Sequence, residues 1–308
     1  MTYTSIGSNC YPLRRVVAPF VLFSIIIPCR NEGDHLRRTV RSMIQARGSE
    51  QEIIVVDDGS TDGCCDFLRS GEMPGVRLVE GKNLGVAGAR NVGAAQARGE
   101  ILCFCDAHLE LPPGWLAALA RPLGEGMAEV VCPAMADFRR PHAVGYGVTW
   151  GASLQWRWLH RRPPEPSYVP LAPGGCLLVS RQVYEAVGGF ERGFYGFGFD
   201  DQEFSLKVWL FGYRVMVQPQ VQVRHLFREA HPYPVGADEL LHNFLRMTFL
   251  HFNRRRLKRV MEMVRGQPGF AGVMAGLLDS DVWEKRMNYF RRRRYDDDWF
   301  MERFKIPF

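Results

Sequence analysis

Four short apolar runs, separated by segments of helical pattern, confine this chain to a narrow set of folds. Val21 to Ile27, Glu52 to Val56, Val76 to Val79 and Ile101 to Cys105 read as strands. Glu32 to Ala46, Thr61 to Ser70 and Val86 to Ala97 read as the helices between them. Strands that are apolar throughout, rather than alternating, must be covered on both faces, and helical crossovers make neighbours parallel. The expected fold class is α/β, an αβα sandwich with a mainly parallel central sheet. Ligands of such sheets sit beyond the carboxyl ends of the strands. Here three of those ends carry pointed chemistry: Pro28-Cys29-Arg30-Asn31-Glu32, Asp57-Asp58-Gly59-Ser60 and Asp106-Ala107-His108. One composite site is predicted.

The second half is less regular. Glu129 to Pro133, Gly175 to Val179, Arg214 to Val217 and Val221 to His225 read as further strands. Between them lie an aromatic stretch, Trp150 to Trp158, and the segment Arg161 to Pro170. Pro163, Pro164 and Pro166 make that segment an ordered or lid-like loop rather than a strand. Ala237 to Arg265 is helical in pattern, and the tail from Trp283 to Phe308 is expected to pack back on the domain.

A hydrophobic content of 46% allows a substantial core, and no internal repeat or low-complexity tract appears. Arg14-Arg15 followed by Val16 to Ile27 resembles a signal peptide, but Pro19 interrupts the run, which is too short to span a bilayer. It reads as a leader into the first strand. The eight cysteines include no CxxC pair and suit buried thiols in a reducing compartment, so a cytoplasmic location is expected. The net charge of +6 is concentrated late, in Arg254 to Arg256, Lys258, Arg259 and Arg291 to Arg294, with Asp296 to Asp298 close by. A solvated helix face explains such a run; contact with anionic lipid or an acidic partner is the sharper reading. No nucleic-acid partner is expected.

Asp106 and His108, two apart in an extended chain, face the same way and can hold one divalent ion together. His225, ending a later strand in Val223-Arg224-His225, is the natural third ligand. An aspartate of the Asp57-Asp58 pair can accept the imide proton of uracil, and the Gly59-Ser60 turn permits close approach, although an ordinary capped turn has the same composition. Asn83 and Gly85 open a helix of small residues, which permit close packing on a sheet and equally the close approach of a nucleotide, with Arg90 meeting base or phosphate. Gly196 to Glu203 is a glycine-aromatic loop entering a helix with Asp200, Asp201 and Glu203 at its start. Three acids there exceed what the helix dipole requires, and a general base must be a positioned carboxylate or histidine.

Taken together these segments resemble family 2 glycosyltransferases of the GT-A fold. The matching motifs are Ile25-Ile26-Ile27-Pro28 with Asn31-Glu32, Ile54 to Asp62, Asn83 to Asn91 and the Asp106 motif, in that order. A narrower resemblance, through Asp106 to Glu110, Gly174-Gly175 and His225 to Arg228, is to the polypeptide N-acetylgalactosaminyltransferases. The resemblance implies a UDP-sugar donor and Mn²⁺ or Mg²⁺ on Asp106, His108 and His225. It also places Pro28, Arg30, Asn31, Glu32, Asp57, Asp58, Ser60, Asn83, Gly85, Arg90, Asp106, Gly174 and Gly175 around the donor. At the acidic loop the chain departs from that group's Gly-Gly-Glu-Asn and is similar instead to inverting β-1,4-galactosyltransferases. There the second acid is the base, which implies Asp201 as base with Asp200 and Glu203 beside it. A sugar would then pass to an acceptor hydroxyl of a saccharide, peptide or lipid, with inversion. A retaining, polypeptide-directed enzyme and a non-catalytic nucleotide-sugar-binding module are the alternatives. The expected division is a leader at 1–20, a catalytic domain at 21–235 (nucleotide half about 21–110, acceptor half about 111–235) and a basic helical extension at 236–308.

Overall fold

The computed structural model describes residues 22–46 and 50–308, so the expected leader at 1–20 lies outside the described residues. In chain order the elements are β1 (Phe23–Cys29), α1 (Asp34–Gln45), β2 (Gln51–Asp57), α2 (Asp66–Arg69), β3 (Val76–Glu80), α3 (Gly85–Gln96), β4 (Ile101–Cys105) and β5 (Leu109–Glu110). Then come α4 (Trp115–Gly124), β6 (Val130–Asp137), β7 (Val144–Gly145), β8 (Val148–Trp150), β9 (Trp156–Trp158), β10 (Ser167–Tyr168), β11 (Cys176–Ser180) and α5 (Arg181–Ala186). The chain closes with α6 (Asp200–Leu210), β12 (Val215–His225), α7 (Ala237–His251), α8 (Arg254–Val264), α9 (Phe270–Leu278), α10 (Val282–Arg292) and α11 (Asp297–Arg303).

The main sheet runs β3-β2-β1-β4-β11-β6-β12-β10. β1 pairs in parallel with both β2 and β4, and β2 with β3. β11 is the reversed strand between β4 and β6, while β12 runs parallel to β6. The mainly parallel αβα sandwich is therefore the fold observed. Register decides where the site falls: Cys29 lies opposite Asp57, so the polar segments after β1 and β2 leave the sheet at one level. The Asp58 amide donates to the Cys29 carbonyl at 2.8 Å and ties those exits together.

Both sheet faces are buried, as the unbroken apolar runs require. Ile25, Ile27, Cys103 and Cys105 face a core that includes Leu36, Val40 and Leu119 of α1 and α4. Ile26, Leu102 and Phe104 face the other core. That second core is continuous with the C-terminal helices, since Leu245, Phe252, Val260, Phe300 and Phe308 belong to it. The tail thus packs back as expected: the C-terminal helices share this core and rest chiefly on α6 and on one another.

Four local expectations need correction. The helix expected over 61–70 shrinks to α2, because Asp62 accepts from the Gly33 and Cys64 amides and holds the chain in a side-chain-stabilised loop. The two strands expected around residues 214–225 are one strand, β12, whose register shifts between Gln218 and Gln222 where Pro219 interrupts the ladder. The helix expected over 237–265 breaks at Phe252, and the Asn253 side chain caps α8 through the Arg256 amide at 3.0 Å. The proline-rich segment 161–170, expected as an ordered or lid-like loop rather than a strand, contains the edge strand β10 and lines none of the main cavity. Among the described residues no helix is long and apolar enough to cross a membrane.

Candidate active site

A cavity of about 410 Å³ opens where β1, β2 and β4 end and β11 begins. At its wall the His225 Nε2 lies 3.1 Å from Asp106 Oδ2, and the His108 Nε2 lies 4.0 Å from the same oxygen. One ligand atom from each of these residues falls within 4.8 Å of the others. The imidazoles meet edge to face, with centroids 4.7 Å apart. The strand-end pair and the histidine of β12 therefore converge, although 117 residues separate His108 from His225 in the chain.

The surrounding groups prepare these side chains as ligands. His108 Nδ1 contacts Glu32 Oε2 at 3.2 Å, which leaves Nε2 for the cavity side. Burial would raise the Glu32 carboxyl, but His108 and then Arg228 more than offset it and hold Glu32 below the usual carboxylate range. Burial likewise opposes ionisation of Asp106; the His225 hydrogen bond, Arg90 and His108 together bring it well below that range. Burial lowers His225, keeping it neutral as a ligand must be, and its Nδ1 is buried without a partner. A carboxylate oxygen with two imidazole nitrogens suits a divalent ion, and the mixed set favours Mn²⁺ over the all-oxygen preference of Mg²⁺.

Arg90 joins this cluster to the acidic loop. Its guanidinium, fully buried, contacts Asp106 Oδ1 at 3.1 Å, the Gly174 carbonyl at 2.8 Å and Asp200 Oδ2. It is thus a hub between protein groups, and it also lines the cavity. Gly174 and Gly175 have a packing reason: a Cβ on Gly174 would lie 2.9 Å from Arg90 Nη1 and 3.0 Å from the Asp201 Cβ. A Cβ on Gly175 would lie 3.0 Å from the His225 ring. Gly85, at φ +68°, brings α3 against the acidic loop, since a Cβ there would sit 2.7 Å from the Gly196 backbone.

Asp201 lines the cavity and accepts the Gly174 amide on Oδ2 at 2.8 Å. Burial, then the neighbouring charge of Asp200, push its carboxyl up to about 7. Burial raises Asp200 as well, against the pull of Arg90. The preceding Phe199 holds a left-handed backbone at φ 67°, a conformation that costs a side chain roughly 1–3 kcal/mol. A strained backbone at the entrance to a helix that bears a perturbed acid is a pairing that recurs at functional sites.

Other expected residues stand elsewhere. Pro28, Arg30, Glu32 and Asp58 line the cavity with those already described, but Asn31, Asp57, Ser60, Asn83 and Glu203 do not. Asn31 and Ser60 bind each other's loops, through the Thr61 amide at 2.8 Å and the Asn31 amide at 3.0 Å. Asp57 is turned inwards, accepting the Ser60 amide and pairing with Arg69 at 2.6 Å, so it is not placed to meet a base. Asn83 supplies a positive-φ turn before α3. Glu203 lies wholly buried between Lys207 at 3.0 Å and His251 at 2.8 Å and has no access to substrate. Conversely, Trp156, Phe197, His231 and Tyr233 line the cavity unannounced, with Arg30 over the Tyr233 ring at 5.1 Å. The aromatic richness of those segments was the available signal.

With this geometry in view, the likeness to known proteins is coherent. Residues 24–188 match the model of glycosyl transferase family 2, and residues 166–232, which hold the acidic loop, match that of the N-terminal domain of galactosyltransferase. Polypeptide N-acetylgalactosaminyltransferase 11 of Xenopus tropicalis is 31% identical over 252 residues, covering 73% of this chain and 41% of the relative. Polypeptide N-acetylgalactosaminyltransferase 10 of Homo sapiens is 31% identical over 78% of this chain and 41% of its own length. The chain spans about two fifths of the length of these curated relatives. Among solved structures, GalNAc-T7 with UDP, GalNAc and Mn²⁺ superposes with a TM-score of 0.76 at 21% identity, over 93% of this chain and 57% of that one. That likeness carries the fold, GT-A, and the family model covers more than half of the sequence: the chain belongs to glycosyl transferase family 2.

Proposed function

We propose that this chain is a metal-dependent glycosyltransferase that moves a hexose or N-acetylhexosamine from a UDP-sugar to an acceptor hydroxyl. The observation that carries this reading is the convergence of Asp106, His108 and His225 on a cavity that also holds Asp201. Asp106, His108 and His225 would hold Mn²⁺ or Mg²⁺. Bound there, the ion would supply charge to balance a departing diphosphate. The rest is done by the protein's own groups. Arg228 fixes Glu32 and Glu32 fixes His108, Arg90 fixes Asp106 and Asp200, and the Gly174 amide fixes Asp201. Asp58, at the wall, is the acid left to accept the imide proton of uracil.

Asp201 is the base in this reading. With Oδ2 held by Gly174, Oδ1 is left to take the proton of the acceptor hydroxyl. The acceptor oxygen bonds to the anomeric carbon as the bond to the diphosphate oxygen breaks, and the configuration inverts. A carboxyl raised to about 7 is matched to that task near neutral pH. A retaining reaction on a peptide hydroxyl is supported by a different observation, the 31% identity to enzymes named as polypeptide N-acetylgalactosaminyltransferases.

Screening UDP-sugars for Mn²⁺-dependent hydrolysis without acceptor identifies the donor. No hydrolysis of any sugar nucleotide, together with no Mn²⁺-dependent UDP binding, would overturn the enzyme reading. GDP competing as well as UDP would remove the uracil assignment. Proton NMR of the product then separates inversion from retention, and a retained configuration would remove Asp201 as base.

A further inference from the structure

A second cluster of ligating side chains lies beside the donor cavity and takes no part in the chemistry above. Cys29 ends β1, and Cys64 and Cys65 sit in the loop before α2. Their sulfurs are separated by 3.5 Å (Cys29 to Cys64), 3.8 Å (Cys29 to Cys65) and 3.8 Å (Cys64 to Cys65). All three thiols are free and buried. A triangle with these sides has its centre about 2.1 Å from each sulfur, close to the metal–thiolate bond length of about 2.3 Å. Disulfide geometry does not explain the arrangement. Joining any two sulfurs at about 2.0 Å would leave the third without a partner, whereas three nearly equal sides suit one ion bonded to all.

We propose that Cys29, Cys64 and Cys65 form a three-thiolate site for one soft d¹⁰ cation, monovalent copper or zinc. Thiolates select such ions over the harder Mn²⁺ and Mg²⁺, and of the two soft ions copper(I) is the one that thiolates also favour over the Asp106 cluster's oxygen and nitrogen donors. Binding replaces each S–H bond by a metal–sulfur bond, the three protons pass to solvent, and no electron changes hands. Copper(I) is satisfied by the three sulfurs alone, while zinc takes a fourth ligand.

Placement gives the site a consequence. Cys29 lies between Pro28 and Arg30 on the cavity wall, and its carbonyl accepts the Asp58 amide. An ion shared with Cys64 and Cys65 ties the exit of β1 to the loop after β2, the two segments that flank the donor. A second cysteine triad, Cys103, Cys105 and Cys176, is the internal comparison. All of its members sit on strands in the sheet interior, and none lines the cavity.

The test uses the reduced chain under anaerobic conditions, with copper(I) supplied as its bicinchoninate complex and zinc supplied separately. One equivalent of copper should move from chelator to protein, and X-ray absorption should show a shell of three sulfurs. A zinc-loaded protein with three sulfurs and one oxygen would instead assign zinc within the same class. Cys64→Ser, at the most exposed of the three positions, should lose this uptake, while Cys176→Ser keeps it. Circular dichroism of each variant separates lost binding from lost folding, and Cys65→Ser provides a second test if Cys64→Ser fails to fold. No transfer of either metal to the folded wild type would overturn the proposal. Uptake that survives Cys64→Ser, or that disappears in Cys176→Ser, would overturn it equally. None of these outcomes depends on glycosyl transfer.

Discussion

Two residues apart on α6, Asp201 and Glu203 belong to different regions of the molecule. Asp201 faces the cavity, where backbone amides are its contacts and its carboxyl is pushed up to about 7. Glu203 faces the C-terminal helices, where Lys207 and His251 complete it. The same contrast runs through both regions. In the C-terminal region, Glu191 is held by Arg246 at 2.8 Å and Lys285 at 2.7 Å, and Asp297 by Arg256 at 3.0 Å. At the cavity, Asp106 meets Arg90 at 3.1 Å through Oδ1 only, while Oδ2 is turned to two imidazoles that bring it no fixed charge partner. Buried charge is costly unless paired, so groups paired by the protein are scaffold.

The largest expected effect breaks the cavity side of this contrast. Asp106→Ala and His108→Ala should each abolish transfer and sharply weaken Mn²⁺-dependent UDP binding, because ligands that close on one ion act as a unit. Calorimetry with unchanged UDP affinity in both variants would remove the metal assignment. His225→Ala should behave alike but more mildly, since water can replace one ligand.

Asp201→Asn comes next. It keeps the Gly174 contact but loses the proton acceptor, so turnover should fall by roughly 10²–10⁴-fold with donor affinity nearly intact. Its stability should move the other way. A carboxyl whose pKa rises on folding to about 7 stabilises the fold below its unfolded value and loses that contribution as pH climbs through about 7. Asp201→Asn should therefore melt above the wild type at about pH 8, with the gap closing towards about pH 5. In the wild type, turnover should rise across the same window as the base deprotonates. Equal melting temperatures at both pH values would contradict the assignment of Asp201 as the strained member.

Glu203→Gln should do the reverse. It leaves Lys207, fully buried, without its counter-charge, and breaking a buried pair costs about 3–5 kcal/mol. A large drop in melting temperature with turnover per folded molecule preserved would sharpen the contrast. A stable but inactive Glu203→Gln would erase it.

The parallel half was legible because its strands are buried on both faces and carry their signal in every residue. β4 occupies the expected residues, Ile101–Cys105. The Asp106, His108 and His225 grouping was also reachable, since strand ends of one sheet converge. What the sequence did not carry was direction. Glu203 and Asp201 look alike as text, and only the helix phase, about 100° per residue, decides which meets the cavity. Arg90 makes the same point: its position on α3 is clear from the sequence, but not its pairing with Asp106 and Asp200. The late basic run was legible only in part, since Arg256 is buried against Asp297 while Arg254 and Arg255 face solvent.

The smallest expected effect tests that point of direction within the nucleotide half. Asp57 and Asp58 are adjacent, yet Asp58 lines the cavity and accepts the Gly85 amide at 3.0 Å, while Asp57 points at Arg69 and the Ser60 amide. Asp57→Asn keeps an acceptor for Ser60 and loses an ion pair whose arginine is 40% exposed, so its stability cost should stay at or below about 1 kcal/mol. UDP affinity should barely change. Asp58→Asn removes the only acid of the pair at the wall and should raise the donor KM more than it lowers kcat, because the contact exists before the transition state. If calorimetry ranks the two variants the other way, Asp57 rotates to meet the base when donor binds, and the inward and cavity-facing classes exchange members.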